Sequence, residues 1–214
     1  MRRALFILSV TFSVLVIPLG GGLLAEILIN EIMADPASDW DGSGEYYYRD
    51  DEWVEIINTG QSVVDISGYL LCDGSSPIDW RYGFSGILNP GEVRVVYGAD
   101  SRLWEQSEGF PSYGLSLNND GDGVYLFHVS GNDTLLVDSV LYENYMADDD
   151  RALGRKLDDH TVWELFDANN PCEDCEPVAG NGCNPTPGEA NNCMTDIEEK
   201  SWGMIKSIYR DGSE

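Results

Sequence analysis

Short stretches in which apolar and polar residues alternate recur along most of the chain, and this period of two constrains the fold more than any other feature. In residues 52–58, for example, Trp53 and Glu55 fall on one face of an extended strand and Val54 on the other. Such alternation is typical of β-strands, whose successive side chains point to opposite faces. It predicts strands at residues 26–33, 52–58, 63–71, 92–97, 123–129, 135–142 and 161–166.

Turn-forming residues separate the predicted strands. Asn89-Pro90-Gly91 suits a type II turn, because proline fixes φ and glycine accepts positive φ; the 63–71 strand carries a kink at Ser67-Gly68. No long helical pattern lies between the strands, which argues against a parallel α/β sheet. Many short strands with regular turns indicate an all-β chain, built as an antiparallel sandwich or a barrel.

The two ends of the chain differ from this β pattern. Residues 1–25 place Arg2 and Arg3 before an apolar run and small residues, the order of a secretory signal peptide, and we predict cleavage after Ala25. The alternative is an uncleaved membrane anchor, but Pro18 and the glycines at 20–22 break the apolar run, and a span needs about 20 apolar residues. We therefore expect a secreted, extracellular or cell-surface protein with no membrane span after cleavage.

The C-terminal tail, residues 194–214, predicts a short helix. It opens on a capping box at Thr195 and Glu198 and then places Trp202, Ile205 and Ile208 on one side. This helix either packs on the β domain or serves as a sorting or docking segment.

The chain is strongly acidic. It carries 12 Lys and Arg against 38 Asp and Glu, a formal charge of −26. Loss of Arg2 and Arg3 with the signal peptide makes the formal charge −28, from 10 basic and 38 acidic residues. Such a surface repels phosphate backbones and anionic membranes, so we predict no nucleic-acid partner. A binding partner would be a protein or a cell-surface glycan, and the sequence does not define an oligomeric state.

Five cysteines are present, and four of them fall close together. Disulfides are the default for an exported chain, and the candidates are Cys172, Cys175, Cys183 and Cys193. A zinc site is the alternative, although the spacing of the second pair suits zinc poorly. The sequence leaves three pairings open; because direct closure of the first pair makes a tight ring, we favour pairing across to the second pair. Cys72 is predicted to be a buried free thiol at a strand end.

Residues 35–51 form a long acidic and aromatic insertion between the first two strands. Within it, carboxylates alternate with glycines, a pattern that can supply oxygen ligands to Ca²⁺. The spacing does not match an EF-hand, and solvated acidic turns are the alternative interpretation. We expect no required cofactor, with Ca²⁺ as the one candidate ligand. The candidate ligands are Asp39, Asp41, Glu45 and Asp50, and Asp120-Gly121-Asp122 and Asp148-Asp149-Asp150 are further clusters.

Catalytic motifs are absent from the sequence. His128 and His160 are the only histidines, which restricts any Ser–His–Asp arrangement, and His128 is predicted to be a packed or surface residue. The acidic residues keep a two-carboxylate hydrolase open. We expect a protein that is not an enzyme.

Seven short motifs along residues 26–192 follow the order of one family. They are, in chain order, Ile27-Leu28-Ile29-Asn30-Glu31-Ile32; Trp53-Val54-Glu55 with Asn58; Asp65-Ile66-Ser67-Gly68-Tyr69-Leu70-Leu71; Leu88-Asn89-Pro90-Gly91-Glu92; Leu117, Asn118 and Gly121-Asp122; Val137-Asp138-Ser139-Val140-Leu141-Tyr142; and Thr186-Pro187-Gly188 with Asn191. In these motifs the chain resembles the lamin-tail domain, the immunoglobulin-like module of nuclear lamins that also occurs in secreted bacterial proteins.

The resemblance implies an immunoglobulin-like antiparallel β-sandwich over residues 26–193. It also implies a non-enzymatic binding or structural module, without naming a partner. An alternative is an accessory protein of a secreted hydrolase, or a hydrolase itself. Asn30, Glu31, Glu55 and Asn58 are polar residues beside core strands, which we expect to cap strand ends and bond loop backbone rather than bind a ligand.

Overall fold

The computed structural model describes residues 26–75 and 78–193, in which two antiparallel β-sheets face each other. The five-stranded sheet has the order β11-β10-β1-β2-β7, the four-stranded sheet has the order β5-β4-β8-β9, and β3 pairs with β6. The strands are β1 (Ile27–Met33), β2 (Trp53–Asn58), β3 (Val64–Asp65), β4 (Tyr69–Ser75), β5 (Ile78–Gly83), β6 (Ile87–Leu88), β7 (Val93–Tyr97), β8 (Gly121–Ser130), β9 (Asp133–Glu143), β10 (Ala152–Lys156) and β11 (Asp159–Phe166). One α-helix, α1 (Gly98–Glu108), and a 3₁₀ turn at Asn144–Met146 complete the fold of these residues.

The predicted strands are confirmed. The stretch at 63–71 divides into β3 and β4 at its predicted kink, where Gly68 has a φ of 86°. The predicted hairpin at 123–142 is the β8–β9 pair, which is longer than expected at both ends. The antiparallel all-β architecture and the immunoglobulin-like sandwich that the resemblance implies agree with this topology.

The main core lies between the two sheets. Ile29 and Val54 from the larger sheet pack in the same buried cluster as Leu71, Leu126 and Val140 from the smaller one. These are the inward residues of the alternating pattern, and burying them supplies the main favourable free energy of folding.

The outer face of the five-stranded sheet is also covered. Trp53 has no exposed surface and packs with Met33 and Phe166 in a second apolar cluster. Two segments cover this cluster: Trp40, from the acidic insertion, and the segment 183–193, which we call the C-terminal cover. The acidic insertion and the C-terminal cover therefore pack on the same sheet face.

Helix α1 was not predicted, because its packed stripe is not apolar. Its buried residues are Gly98, Ser101 and Glu105, whereas Leu103 is exposed. A Cβ on Gly98 would lie 1.8 Å from the carbonyl oxygen of Arg49, so only glycine permits this approach. Hydrophobic periodicity finds helices by an apolar stripe, and α1 has none.

Strands β5 and β10 were also missed, since both place arginines in buried positions. Arg81 of β5 is 6% exposed, and its guanidinium contacts Asp73 at 2.8 Å and Glu105 at 3.3 Å. Arg155 of β10 is 7% exposed. Arginine is rarely buried unless its charge is paired, so a single sequence gives little sign of either strand.

The favoured disulfide pairing was wrong. The bonds join Cys172 to Cys175 and Cys183 to Cys193, with Cα–Cα distances of 5.7 and 5.5 Å. The first ring closes because Asp174 adopts a φ of 62°, which reverses the chain between the two cysteines. Because all four cysteines form disulfides, they do not form the alternative zinc site. Cys72 is free and buried, as predicted, although it lies within β4 rather than at its end.

The predicted signal peptide at 1–25 and the predicted tail helix at 194–214 lie outside the described residues. Within residues 26–75 and 78–193, no helix combines the length and the apolar character that are needed to cross a bilayer.

Candidate functional site

The acidic insertion closes around one buried carboxylate. Asp51, which has no exposed surface, accepts hydrogen bonds from the backbone amides of Trp40 at 2.7 Å, Asp41 at 3.1 Å and Tyr47 at 2.7 Å. A carboxylate that accepts several amide hydrogen bonds is a strong local anchor. The insertion therefore forms a defined loop, which we call the acidic loop, residues 35–51.

A second anchor comes from the turn that follows β9. Asp150 accepts hydrogen bonds from the amide of Ala37 at 2.7 Å and the indole Nε1 of Trp40 at 2.6 Å, and the Ser38 hydroxyl also donates to it. The Asp150 amide in turn donates to the carbonyl of Asp35 at 2.9 Å. The acidic cluster at 148–150 and the acidic loop thus form one surface at the same end of the sandwich.

Of the four predicted calcium ligands, the structure brings two together. Asp39 and Asp41 join Asp51 in a group whose carboxylate oxygens lie within 4.8 Å of one another. Asp50 instead pairs with Arg102 at 2.7 Å, and Glu45 is exposed and lies outside this group. Asp51 was missed, because the turn that carries it back over Asp39 is not visible in the spacing of the residues.

A second carboxylate triad lies beside the first. Asp35, Asp148 and Asp149 place carboxylate oxygens within the same 4.8 Å of one another. Burial, with added repulsion from Asp149 and Asp148, raises the pKa of Asp35. Clustered carboxylates repel each other unless a cation or a proton lies among them, and the two triads concentrate negative charge at this end of the molecule.

Three consecutive tyrosines project from the acidic loop, and we call Tyr46, Tyr47 and Tyr48 the tyrosine ridge. Their side chains are 52%, 43% and 49% exposed. The Tyr46 hydroxyl donates to the Pro36 carbonyl at 2.9 Å, and the rings of Tyr47 and Tyr48 lie 5.1 Å apart. The guanidinium of Arg102 lies 5.9 Å from the Tyr47 ring centroid. The ridge is therefore both exposed and held in place.

The polar residues of β1 and β2 bond loop segments, as expected, and three of the four bond the C-terminal cover. Asn30 donates to Glu55 at 2.6 Å and to the side chain of Asn191 at 2.7 Å. Glu31 accepts the Thr186 hydroxyl at 2.7 Å, and Glu55 accepts the amide of Gly188 at 2.7 Å. Asn58, on the same strand as Glu55, donates to the carbonyls of Ser62 at 2.8 Å and Leu88 at 2.9 Å.

This polar layer is deeply buried, which perturbs its carboxyls. Burial raises the pKa of Glu31 to about 8 despite the hydrogen bonds from Thr186. Burial likewise raises the pKa of Glu55 to about 7, against its bonds from Asn30 and Gly188. The layer's contacts are with the protein's own cover segment, so its role in the described structure is to hold that segment on the sheet.

Two open cavities accompany these features. One, of about 560 Å³, lies beside the N-terminal half of β1 and is lined in part by Glu26, Asp138, Arg155 and His160. The other, of about 440 Å³, lies at the acidic end and is lined by Arg49, Asp73, residues 116–119 and Asp122. His128 packs on the ring of Tyr69 at a centroid distance of 4.7 Å, as a packed residue would.

Comparison with known proteins assigns the family. A family model described as Lamin Tail Domain matches residues 24–144, a range that runs from β1 to the end of β9. A search of curated proteins finds no match. Domains of this family have an immunoglobulin-like fold and are non-catalytic. This agrees with the predicted binding or structural module. With more than half of its length matched and the sandwich topology in place, this chain belongs to the lamin tail domain family.

Proposed function

We propose that this protein is an exported, non-enzymatic binding module that works outside the cell or at its surface. We propose further that the acidic loop is its binding surface and that Ca²⁺ stabilises this loop. The partner would be a protein or a cell-surface glycan. The observation that carries the proposal is the tyrosine ridge, three adjacent exposed rings on a loop that the buried carboxylate of Asp51 anchors through three backbone amides.

Export is supported by two features. The sequence opens on a signal-peptide pattern, with cleavage predicted after Ala25. Two disulfides are present, and such bonds persist in oxidising compartments. The large negative charge favours solubility and disfavours nucleic-acid partners.

The tyrosine ridge suits a macromolecular partner. Tyrosine is enriched at interfaces because its ring offers apolar contact area and its hydroxyl a polar end. Little side-chain entropy is lost on binding when the ring is already held, which favours affinity. The ridge combines exposure with fixed neighbours, and it stands beside oxygen-rich triads.

Calcium fits the triad of Asp39, Asp41 and Asp51. Asp39 accepts the amide of Gly44 at 2.8 Å, and Asp41 accepts the amide of Ser43 at 2.8 Å. Each carboxylate has about four lone-pair sites, so acceptor capacity remains for an ion. Ca²⁺ takes about six to eight oxygen ligands and accepts irregular geometry, and water would complete the set.

The test is capture of a partner by the purified, exported protein. Wild-type protein and the double variant Tyr46→Ser/Tyr48→Ser are immobilised and exposed to native envelope fractions and to a glycan array, with 1–5 mM Ca²⁺ (roughly the range of weak extracellular sites) or with chelator. We expect binding that falls about tenfold or more with chelator and in the double variant, as truncation of aromatic anchors does.

The matched control is Leu135→Ser, which removes an apolar side chain that is 65% exposed on β9. It lies near the β8–β9 turn, where Leu135 pairs with His128. Equal binding by wild type and the tyrosine variant, or equal loss in the Leu135 variant, would contradict the assignment of the surface to the acidic loop.

A further inference from the structure

The outer face of the five-stranded sheet is closed at its centre and half-open along β7, which forms one edge of that sheet. Trp53 on β2 is fully buried, whereas Tyr97, directly opposite it on β7, is only half-buried. Two positions along, Glu55 is buried and its partner Val95 is half-buried. Both β7 residues pack against the outer cluster that contains Trp53. An apolar row at this edge therefore keeps contact with solvent.

The acidic loop adjoins this row. Trp40 is half-buried, packs against the same cluster and places its ring 6.2 Å from that of Trp53. The amides of Trp40 and Asp41 both donate to Asp51, so the first carboxylate triad lies directly beside the row. We define the β7 margin as three residues: Trp40, Val95 and Tyr97. An apolar margin next to clustered negative charge fits an amphipathic segment that carries basic residues.

The C-terminal cover ends beside this margin. Cys193, its last residue, is bonded to Cys183 and packs against the same outer cluster. Neighbouring strands of a sheet lie about 5 Å apart, so β7 is only about 10 Å from β1. The nine residues from 194 to 202 extend to about 30 Å at most. The segment that follows Cys193 therefore begins at the margin and is long enough to lie along it.

The sequence of the C-terminal tail, residues 194–214, matches this surface in polarity and charge. Three large apolar residues fall on one side of its predicted helix: Trp202, Ile205 and Ile208. Residues 200–210 carry three basic residues and no acidic one, in a chain that has 38 acidic residues against 12 basic ones. Lys206 and Arg210 are four residues apart, so they share one side of the helix. The tail is therefore an amphipathic segment with local positive charge.

We propose that the C-terminal tail docks on the β7 margin of its own chain, with its apolar side on the margin and its basic side toward the carboxylates of the acidic loop. An isolated helix of this length is marginal in water, and packing on the margin supplies the burial that it needs. The docked tail continues the C-terminal cover as far as β7 and shields an edge strand from pairing with other chains. This contact joins parts of one chain and does not rest on the proposed function of the acidic loop.

Hydrogen exchange of the tail's backbone amides, followed by mass spectrometry on the purified protein, tests the docking. Wild type is compared with Trp202→Ala/Ile205→Ala, which shortens the apolar side, and with Ser207→Ala, which changes the other side. Alanine is the best helix former, so a loss of protection in the double variant reports lost docking and not a weaker helix. We expect amides 201–210 to exchange about tenfold or more slowly in wild type and in Ser207→Ala than in the double variant.

Cross-linking places the docked tail. A carbodiimide joins an amine directly to a carboxylate that it touches, and we expect it to link Lys206 to Asp39, Asp41 or Glu45. A mixture of ¹⁵N-labelled and unlabelled protein separates links within one chain from links between two copies, and we expect links within one chain. Equal exchange in wild type and the double variant, no link from Lys206 to the acidic loop, or links that join only two copies would overturn the proposal.

Discussion

Replacing Arg155 with methionine is expected to destabilise the domain by about 3–5 kcal/mol, the cost of removing one member of a buried ion pair. The guanidinium donates to the carbonyl of Ile29 at 2.6 Å and to Asp138 at 2.8 Å, and it also donates to the carbonyl of His160. Asp138 in turn accepts the amide of Ile29 at 2.9 Å. Arg155 and Asp138 together bond the backbone carbonyl and amide of Ile29 in β1. Ile29 has no partner on β10, because only Glu31 and Ile32 of β1 pair with that strand.

Urea unfolding of both proteins measures the effect. Arg94→Met is the matched control, because Arg94 is 40% exposed and its ion pair with Glu92 is long, at 3.8 Å; exposed pairs contribute about 0–1 kcal/mol. The double variant Arg155→Met/Asp138→Asn should be more stable than Arg155→Met alone, since it removes the uncompensated carboxylate. A loss below about 1 kcal/mol in Arg155→Met, the size of an exposed pair, would contradict the assignment of Arg155 and Asp138 as a buried ion pair that stabilises the domain.

Stability is expected to fall as the pH rises from about 5 to above 8. Burial raises the folded-state pKa of Glu31 and of Glu52 to about 8, and that of Glu55 to about 7, all above the ordinary value of 4.5. Between the two values the folded state holds more protons than the unfolded state, so the free energy of unfolding decreases with pH. We expect a decrease of at least about 2 kcal/mol, because one pKa unit corresponds to about 1.4 kcal/mol.

Denaturant unfolding in chelator at three pH values between about 5 and 8.5, which bracket these pKa values, checks this sign. Surface repulsion also grows with pH in so acidic a protein, and Glu31→Gln separates the two causes. This variant keeps an acceptor for Thr186 and removes one titrating group, so its pH slope should be shallower than that of wild type. Glu108→Gln, an exposed change on α1, should leave the slope unchanged. Stability that rises with pH, or equal slopes in all three proteins, would refute the role given to the buried carboxyls.

The sequence predicted those elements whose buried residues are apolar and regularly spaced. Strands β1, β2, β7, β8 and β9 alternate, and their order matches one family's motifs. Elements that bury polar groups were not predicted: α1 packs through Gly98, Ser101 and Glu105. Ser101 and Glu105 bond Arg81, which lies 20 and 24 residues away in sequence, and no local pattern reveals such a partner.

The candidate site was predicted in part for the same reason. Asp39 and Asp41 are two residues apart, and local spacing sufficed to group them. Asp51 completes their triad only because its carboxylate accepts three amides of the loop, which no spacing rule reveals. The disulfides illustrate the reverse error. The sequence analysis disfavoured a direct bond between Cys172 and Cys175 because the ring would be tight, but the backbone reverses at Asp174 and permits this ring.

The acidic loop, which lies outside the family's motifs, and the C-terminal cover, which carries the last of them, are both integrated into the sandwich. The acidic loop supplies Trp40, whose ring lies 6.2 Å from that of Trp53, and the C-terminal cover supplies Cys183 and Cys193 to the same outer cluster. A loop packed in this way can present the tyrosine ridge and the carboxylate triads in a fixed arrangement. The sandwich core of the family is therefore intact, and the acidic loop provides the distinctive surface.

Calcium binding by the acidic loop is tested most directly by titration calorimetry on the purified protein. Wild type is compared with Asp39→Asn/Asp41→Asn and with Asp133→Asn/Asp158→Asn, which makes the same charge change at exposed positions outside the carboxylate triads. We predict heat of binding in wild type at millimolar Ca²⁺, a component of which is lost in the loop variant and kept in the control. No heat in wild type, or identical titrations of wild type and the loop variant, would contradict a calcium-stabilised binding loop.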